Sequence, residues 1–323
     1  MTRTPIEWVN RPQTGKNHFS WNPIRVRFKD DAGNVLVGWA CTHASTGCLN
    51  CYAEAINKRF GTGLPFSVPA LERVEFFLNE KELQAPLRVK KPATIFVGDM
   101  FDLFHEKMPL EMIAQVLWIA GCCKDRHTMQ FLTKRADRMQ EIMSTEFAFN
   151  HSPLREWAPS VWPLPNVWLG VSCENQKYAD ERIPLLLQTP AAVRFVSVEP
   201  QLEEIDFSRW LKMPCGNWPN AILGDHLCSL CRDFVKPGIH QFICGGESGP
   251  HARPFNLAWA ESLRDQCKAA GVSFFMKQFG SNPYGPVSLL SDADQIARIV
   301  KADRKGGMSE HWPESLRIRE WPA

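Results

Sequence analysis

Short apolar runs separated by longer amphipathic stretches dominate the pattern of hydrophobic and polar positions in this chain. The apolar runs that are typical of buried strands are Ala93–Val97, Thr128–Leu132, Val167–Val171, Val193–Val198, Gln241–Cys244 and Val272–Met276. The stretches whose apolar residues recur with helical spacing are Leu110–Cys122, Ala179–Leu187 and Leu257–Ala270. Because strands that alternate with helices form parallel sheets, the pattern predicts an α/β fold.

A polar cluster follows the C-terminal end of each apolar run. The clusters are Gly98-Asp99-Met100-Phe101-Asp102, Thr133-Lys134-Arg135, Ser172-Cys173-Glu174-Asn175, Glu199-Pro200, Gly245-Gly246-Glu247-Ser248-Gly249 and Lys277-Gln278. Barrels of alternating strands and helices carry their chemistry at this end of the strands. We therefore expect a partial (β/α)6-type barrel, although each cluster taken alone is also compatible with the start of an ordinary loop.

Three further parts of the chain lie outside this alternation. Ile24–Lys29 and Val35–Ala40 flank a polar turn and predict a β-hairpin. The segment 206–240 interrupts the alternation and is expected to be an insertion. Residues 281–323 hold little apolar periodicity and are expected to form a C-terminal arm over the barrel. The predicted domains are therefore 1–280, which includes the insertion, and 281–323.

The length, composition and net charge of the chain narrow the class of protein. The chain has 323 residues, of which 44% are hydrophobic and 22% charged, as in folded globular proteins. Its net charge of +2 excludes a polycation, so any nucleic-acid contact must use local basic patches. We expect no membrane span, because no apolar run reaches about 18 residues, and no secretory signal follows Met1. Eleven cysteines without an export signal predict a cytoplasmic protein that uses cysteine as a metal ligand.

Three cysteines, Cys41, Cys48 and Cys51, directly precede a predicted helix over Tyr52–Phe60. The x2 gap brings two thiolates to one metal centre, and Cys41 reaches it from the loop. Three sulfurs without a local fourth ligand suit a [4Fe–4S] cluster with one open iron, whereas zinc normally takes four ligands. An open iron allows the binding and cleavage of S-adenosylmethionine, which supplies radical chemistry. The alternative is three free or structural cysteines.

A second group of metal-binding residue types lies in the insertion. Cys215, His226, Cys228 and Cys231 could close a tetrahedral zinc site or hold a second iron–sulfur cluster. Unligated cysteines in a loop are the alternative.

Several motifs, in order along nearly the whole chain, resemble those of one family. They are Trp21-Asn22-Pro23, the three-cysteine loop up to Glu54, Val97-Gly98-Asp99-Met100, Asp102-Leu103-Phe104-His105, Phe131-Leu132-Thr133-Lys134-Arg135, Leu169–Asn175, Ser197-Val198-Glu199-Pro200, Gly245–Gly249 with Arg253-Pro254, Phe274–Gln278 and Leu316–Pro322. The chain is similar to the phage-associated three-cysteine-motif proteins, a branch similar to radical S-adenosylmethionine enzymes. The resemblance implies a partial (β/α)6-type barrel, a [4Fe–4S] cluster, S-adenosylmethionine and an external electron donor such as flavodoxin. For a phage-encoded protein it implies the host cytoplasm.

The spacing of the cysteines departs from the common radical-enzyme loop, which is C-x3-C-x2-C with an aromatic residue just before the last cysteine. Here the first gap is x6, Asn50 stands at the aromatic position, and Tyr52 follows the last cysteine. The longer loop can still bring Cys41 to the third iron. We count Tyr52 among the cofactor-binding residues.

The residues expected to bind S-adenosylmethionine lie beside the cysteines and at strand ends. They are Tyr52, Gly98, Asp99, Ser172, Glu174, Glu199, Gly245 and Gly246. The resemblance places the contact to the ammonium group at Gly98-Asp99. The later hydroxyl and carboxylate groups are candidates for its carboxylate and ribose, and the glycine pair would let the backbone approach the adenosine, because glycine has no Cβ.

The residues expected to bind substrate are Asp102, His105, Lys134, Arg135, Glu247, Arg253 and Lys277. The four cations would line one barrel mouth and bind the phosphates of DNA or a nucleotide, or would instead pair with nearby carboxylates. Glu247 either binds substrate or pairs with Arg253. His105 transfers protons or is a structural hydrogen-bonding residue. Cys173 and Cys244 are better explained as small core residues than as hydrogen-atom donors.

Together these features predict a radical S-adenosylmethionine enzyme that generates a 5′-deoxyadenosyl radical and abstracts a substrate hydrogen. The phage association that the resemblance implies indicates modification or isomerisation of a hypermodified thymidine nucleobase in DNA. One competing class is a non-enzymatic zinc- or cluster-binding nucleic-acid protein. Another is a radical enzyme that acts on RNA or a peptide. The sequence predicts no oligomeric state.

Overall fold

Strands and helices alternate along the part of the chain that the structure describes. This computed structural model describes residues 1–144, 163–211, 238–285, 299 and 302–322. The strands are β1 (Thr2–Arg3), β2 (His18–Trp21), β3 (Ile24–Lys29), β4 (Val35–Gly38), β5 (Val74–Leu78), β6 (Ala93–Val97), β7 (His127–Thr133), β8 (Val167–Ser172), β9 (Val193–Val198), β10 (Gln241–Gly245), β11 (Phe255–Asn256), β12 (Ser273–Gln278) and β13 (Pro283–Tyr284). The α-helices are α1 (Tyr52–Phe60), α2 (Val68–Leu71), α3 (Glu80–Leu83), α4 (Ala85–Arg88), α5 (Leu110–Cys122), α6 (Ala136–Met143), α7 (Gln176–Gln188), α8 (Ser208–Leu211) and α9 (Leu257–Ala270).

One sheet contains eight strands in the order β1-β2-β6-β7-β8-β9-β10-β12. Parallel pairs join β2 to β6, β6 to β7, β9 to β10 and β10 to β12, whereas β1 is antiparallel to β2. Two smaller sheets have the orders β4-β3-β5 and β11-β13. The predicted α/β class, the hairpin of β3 and β4, and the predicted helices are therefore confirmed.

The large sheet contains two strands more than the six that the apolar runs predict. All six predicted strands form, and they are neighbours in the sheet. β1 and β2 extend it beyond β6. His18–Trp21 was missed because a four-residue strand is too short to show a clear period of two.

The chain forms two compact units, the first of residues 1–170 with 188–192, and the second of residues 171–187 with 193–323. In the first unit, both faces of β6 are covered. Ser20 pairs with Phe96, so the neighbouring Trp21 points to the opposite face. Trp8 packs edge-on against Phe96 with ring centroids 4.8 Å apart. On the other face, the indole N–H of Trp21 donates to the carbonyl of Glu82 (2.8 Å).

In the second unit, the end of the chain lies along β12. The Met276 N–H donates to the Ile318 carbonyl (2.8 Å), and the Glu320 N–H donates to the Phe274 carbonyl (3.0 Å). These hydrogen bonds attach the last described residues to β12. The rest of the predicted insertion and arm, residues 212–237, 286–298, 300–301 and 323, lies outside the described residues.

Within the described ranges, no helix is both long enough and apolar enough to cross a membrane.

Candidate functional site

The cysteine loop, residues 41–51, connects β4 to α1 in the first unit. The Trp39 N–H, just before the loop, donates to Asn57 Oδ1 on α1 (2.9 Å). Asn57 is fully buried, and its amide also donates to Thr62 Oγ1 (2.9 Å). A turn of 3-10 helix over Thr46–Cys48 follows, and Cys51 directly precedes α1. The loop is therefore held to α1 at both of its ends.

The three thiols of the cysteine loop are free and partly buried. Cys41 and Cys51 pack against one apolar group, whose members are Ala53, Phe66 and Met100. Burial raises the pKa of the Cys41 thiol to about 12 and also raises the pKa of Cys51. Cys48 lies close enough for its charge to act on the pKa of both thiols. A buried thiol of this kind ionises when a metal supplies the compensating charge.

The three sulfur atoms of the cysteine loop are the candidate ligands for a metal group. In the described part of the chain, no group of three or more His, Cys, Asp or Glu side chains converges on a single metal-ion position. The three thiolates that hold a four-iron cluster bind three different iron atoms, so they do not need to converge in that way. Three soft sulfur donors on one loop fit an iron–sulfur cluster chemically.

Arg135, which follows β7, binds the cysteine loop through its guanidinium. Nη1 donates to Cys41 Sγ (3.9 Å) and to Asp102 Oδ2 (3.0 Å). Nη2 donates to the carbonyl (3.0 Å) and hydroxyl (2.9 Å) oxygens of Thr42. Nε donates to the two carboxylate oxygens of Glu106 (3.0 and 3.1 Å). Burial acts to lower the pKa of Arg135, but the Asp102 charge and the other anions raise it above its usual value.

Asp102 connects the loop after β6 to the end of β7. Its Oδ1 accepts hydrogen bonds from the Thr133 hydroxyl (2.7 Å) and the Phe104 N–H (3.1 Å). Its Oδ2 accepts the Lys134 N–H (3.2 Å) beside the Arg135 guanidinium. The carboxylate is thus occupied within the protein, although we predicted it to bind substrate.

His105 supports the same loop as a neutral ring. Its Nδ1 accepts the Lys107 N–H (3.1 Å), so Nε2 carries the proton and donates to Thr42 Oγ1 (2.8 Å). Burial, followed by the charge of Arg135, lowers the pKa of His105 to about 4. Because the ring is uncharged at neutral pH, its 3.4 Å approach to Glu106 is not an ion pair. Of the two roles weighed for His105, this geometry is that of a structural hydrogen-bonding residue.

The predicted cofactor-binding residues of the first unit lie beside the cysteine loop. The Tyr52 hydroxyl donates to the Asp99 carbonyl (2.5 Å), and the Asp99 carboxylate accepts an N–H of Asn22 (2.5 Å). Burial raises the pKa of Asp99, against the opposing effect of the Asn22 hydrogen bond. Gly98 has φ of 77°, and a Cβ there would lie 3.0 Å from the Phe101 carbonyl oxygen. The turn therefore requires glycine.

Lys134 differs from its neighbour Arg135 in having no ion pair among the described residues. Its charge acts on Cys51 and opposes the burial effect that raises the pKa of that thiol. It is a partly exposed cation next to the cysteine loop.

In the second unit, the predicted site residues form three separate ion pairs. Arg182 on α7 donates to Glu174 Oε2 (3.1 Å) and to the Ser172 carbonyl (2.6 Å). Lys277 Nζ donates to Glu199 Oε1. The Arg253 backbone N–H (2.9 Å) and Nε (3.0 Å) donate to Glu247 Oε2, and Nη2 donates to Oε1 (2.7 Å). In this structure Arg253 and Lys277 thus pair with nearby carboxylates, which was the alternative to binding the phosphates of a substrate.

The two glycines that follow β10 have different surroundings. A Cβ on Gly246 would lie 2.2 Å from the Phe279 carbonyl oxygen, whereas the nearest atoms to a Cβ on Gly245 are 3.4 Å away. The close approach at Gly246 is thus made by this chain's own backbone.

The remaining predicted residues divide into two groups. Cys173 and Cys244 are fully buried, which agrees with their interpretation as core residues. The proposed second metal site of Cys215, His226, Cys228 and Cys231 lies outside the described residues and remains a prediction. The expectation that four cations line one barrel mouth concerns residues of both units and also remains a prediction.

Three residues with clear roles in the loop geometry were not singled out from the sequence. Thr42 accepts hydrogen bonds from Arg135 and His105, Glu106 accepts from Arg135, and Asn22 holds Asp99. The position of Thr42 directly after Cys41, and the presence of Asn22 in a recognised motif, were the available signals.

The described chain is a mixed α/β protein with a three-cysteine loop braced by residues that follow β6 and β7. It belongs to the family described as "Protein of unknown function (DUF5131)", whose model matches residues 24–307. Neither a curated protein nor a solved structure matches the chain.

Proposed function

We propose that this protein is a radical S-adenosylmethionine enzyme whose [4Fe–4S] cluster is held by Cys41, Cys48 and Cys51. The observation that carries the proposal is the cysteine loop. Its thiols are free, partly buried and close enough for their charges to interact, and burial raises the pKa of the Cys41 thiol to about 12. Because buried hydrogen bonds hold this loop, it is suited to keep three ligands in a fixed arrangement.

The surrounding residues have distinct roles in this proposal. When bound, the cluster and S-adenosylmethionine supply the one-electron chemistry that begins with abstraction of a substrate hydrogen. The Asp99 carboxylate accepts hydrogen bonds from the side chains of Asn22 and Ser20. Because a carboxylate has about four acceptor sites, it could also accept the ammonium of the cofactor. Tyr52 fixes the Asp99 carbonyl and thereby links α1 to the loop after β6.

The barrel architecture and the substrate are part of the same proposal. We propose that the large sheet is a partial (β/α)6-type barrel extended by β1 and β2, with its chemistry at the C-terminal ends of the strands. The resemblance extends the proposal to a hypermodified thymidine nucleobase in phage DNA, modified or isomerised in the cytoplasm with electrons from a flavodoxin-like donor. No residue contact identifies that base.

The test is anaerobic reconstitution of the full chain with iron and sulfide, followed by addition of a reductant and S-adenosylmethionine. We expect about four iron atoms on the loop and the formation of 5′-deoxyadenosine. Cys41→Ala, Cys48→Ala and Cys51→Ala should each abolish both. Cys122→Ala is the matched control, because Cys122 is an exposed free thiol at the end of α5.

Two results would contradict the proposal. Iron and sulfide that are retained in all three loop variants would move the ligands elsewhere. Zinc on the loop with no cleavage of S-adenosylmethionine would favour the non-enzymatic nucleic-acid-binding class.

A further inference from the structure

Arg135 is too deeply engaged to serve as a substrate-binding cation. Only 5% of the residue is exposed. Every N–H group of its guanidinium has an acceptor within the first unit, on Cys41, Thr42, Asp102 or Glu106. A phosphate could reach this guanidinium only by displacing two carboxylates and the cysteine loop.

We propose that Arg135 is a positioning residue that donates an N–H···S hydrogen bond to Cys41 and thereby sets the reduction potential of the group bound there. This inference rests on the proposed function, because it concerns the same three-cysteine site. It assigns to Arg135 a role toward the metal ligand in place of the expected role toward substrate.

The geometry separates a directed hydrogen bond from a simple charge effect. The positive charge of Arg135 is opposed by Asp102 and Glu106, both within 3.1 Å of it. At longer range these carboxylates cancel much of the field of the guanidinium. The contact of Nη1 with Cys41 Sγ (3.9 Å) acts at short range and directly on the sulfur of a proposed cluster ligand.

A hydrogen bond to a ligating sulfur favours the more negatively charged, reduced state of an iron–sulfur cluster. Arg135 therefore makes the cluster easier to reduce. The Nη2 bonds to Thr42 hold the residue next to Cys41, and the neutral His105 also donates to the Thr42 hydroxyl. These contacts fix the distance over which the N–H···S bond acts.

The main test compares Arg135→Lys with Arg138→Lys. Lysine keeps the positive charge but cannot reproduce the planar fork that reaches Cys41, Thr42 and Asp102 together. Arg138 is the control, because it is also on this segment, and its hydrogen bonds among the described residues go to the carbonyls of Glu106 (2.6 Å) and Met108 (2.8 Å) and not to a cysteine.

Both variants are reconstituted anaerobically, their iron is counted, and the midpoint potential is measured by titration followed with EPR. We expect wild-type iron content in both, a more negative midpoint potential and an altered EPR signal in Arg135→Lys, and no shift in Arg138→Lys. A loaded Arg135→Lys protein with the wild-type potential would overturn the inference. Absence of a cluster in the wild-type protein would instead overturn the proposed function.

A second measurement needs no substitution. Wild-type protein is labelled with ¹⁵N in the guanidinium of arginine, and the reduced cluster is examined by pulsed EPR. We expect a ¹⁵N hyperfine coupling from one nearby guanidinium, lost when unlabelled arginine is used. A loaded, labelled protein without this coupling would also overturn the inference.

Discussion

Burial is the main cause of the pKa shifts of Cys41 and His105, two ionisable residues of the cysteine loop and its support. Cys41 is held as a thiol, because burial raises its pKa to about 12. His105 is held as a neutral ring, because burial and the charge of Arg135 lower its pKa to about 4. Without a metal, Cys41 and His105 are therefore both uncharged. A metal bound by Cys41 would ionise its thiol.

The His105 ring makes the stability of the apoprotein depend on pH. Its folded pKa is lowered from 6.5 to about 4, so between these values the unfolded chain binds more protons. Stability should therefore fall as pH drops from 6.5 toward 4, by on the order of 1–3 kcal/mol, since one pKa unit corresponds to about 1.4 kcal/mol. Urea unfolding at pH 7, 6 and 5 measures this slope.

The matched variant is His105→Gln, whose amide can still donate to Thr42 Oγ1. We expect it to fold and to lose most of the stability change between pH 7 and 5. The depressed pKa of Glu106 acts in the same direction, but mainly at lower pH. An unchanged slope in His105→Gln would show that other groups carry the pH dependence.

At the scale of elements, the end of β10 must approach β12 closely. The register of this parallel pair shifts between Cys244 and Gly245. The Gly246 N–H then donates to the Gln278 carbonyl (3.0 Å). The chain passes so near Phe279 that no side chain fits at Gly246. Strand packing therefore explains the glycine at position 246, but not the one at position 245.

This packing predicts different effects for two alanine substitutions. Gly246→Ala would place its Cβ against backbone atoms of Phe279 that cannot rotate away, so it should lower the free energy of unfolding by about 1–3 kcal/mol or more. Gly245→Ala is the control, because its nearest contacts are at ordinary van der Waals distance (3.4 Å). Urea unfolding of both variants compares them. Equal losses would contradict the explanation.

Individual elements show what the sequence could predict. β6 and β10 are buried along their full length, so their apolar runs were conspicuous. β2 was missed because it has four residues, and β5 because its half-exposed side chains lack a regular alternation. The cysteine loop was predicted from spacing alone. The difference between Lys134 and Arg135 was not, because adjacent cations look alike until the fold buries one of them beside Asp102.

At the scale of the whole molecule, the 37 lysines and arginines are nearly balanced by 35 aspartates and glutamates. The net charge is only +2, so binding of DNA must depend on particular residues. Three of the four cations expected to bind substrate are engaged in ion pairs, namely Arg135, Arg253 and Lys277. Lys134, for which the described residues contain no ion pair, is the remaining candidate for a phosphate contact.

Lys134→Ala should therefore weaken binding of single-stranded DNA and reduce its dependence on salt. Each phosphate contact to a single strand contributes about 0.7 to the slope of log affinity against log salt concentration, so the loss of one contact should reduce the slope by about that amount. The measurement is fluorescence anisotropy with a labelled oligothymidine at several salt concentrations.

The control is Lys177→Ala, which removes the same charge from an exposed lysine on α7. If the control reduces the slope equally, the effect belongs to net charge and not to Lys134. If neither variant changes the slope and the wild-type protein ignores salt, the substrate is a peptide or small molecule and not a nucleic acid. Although the charge of Lys134 acts on Cys51, Lys134 is not a proposed ligand of the cluster, so the iron content of the reconstituted protein should stay unchanged.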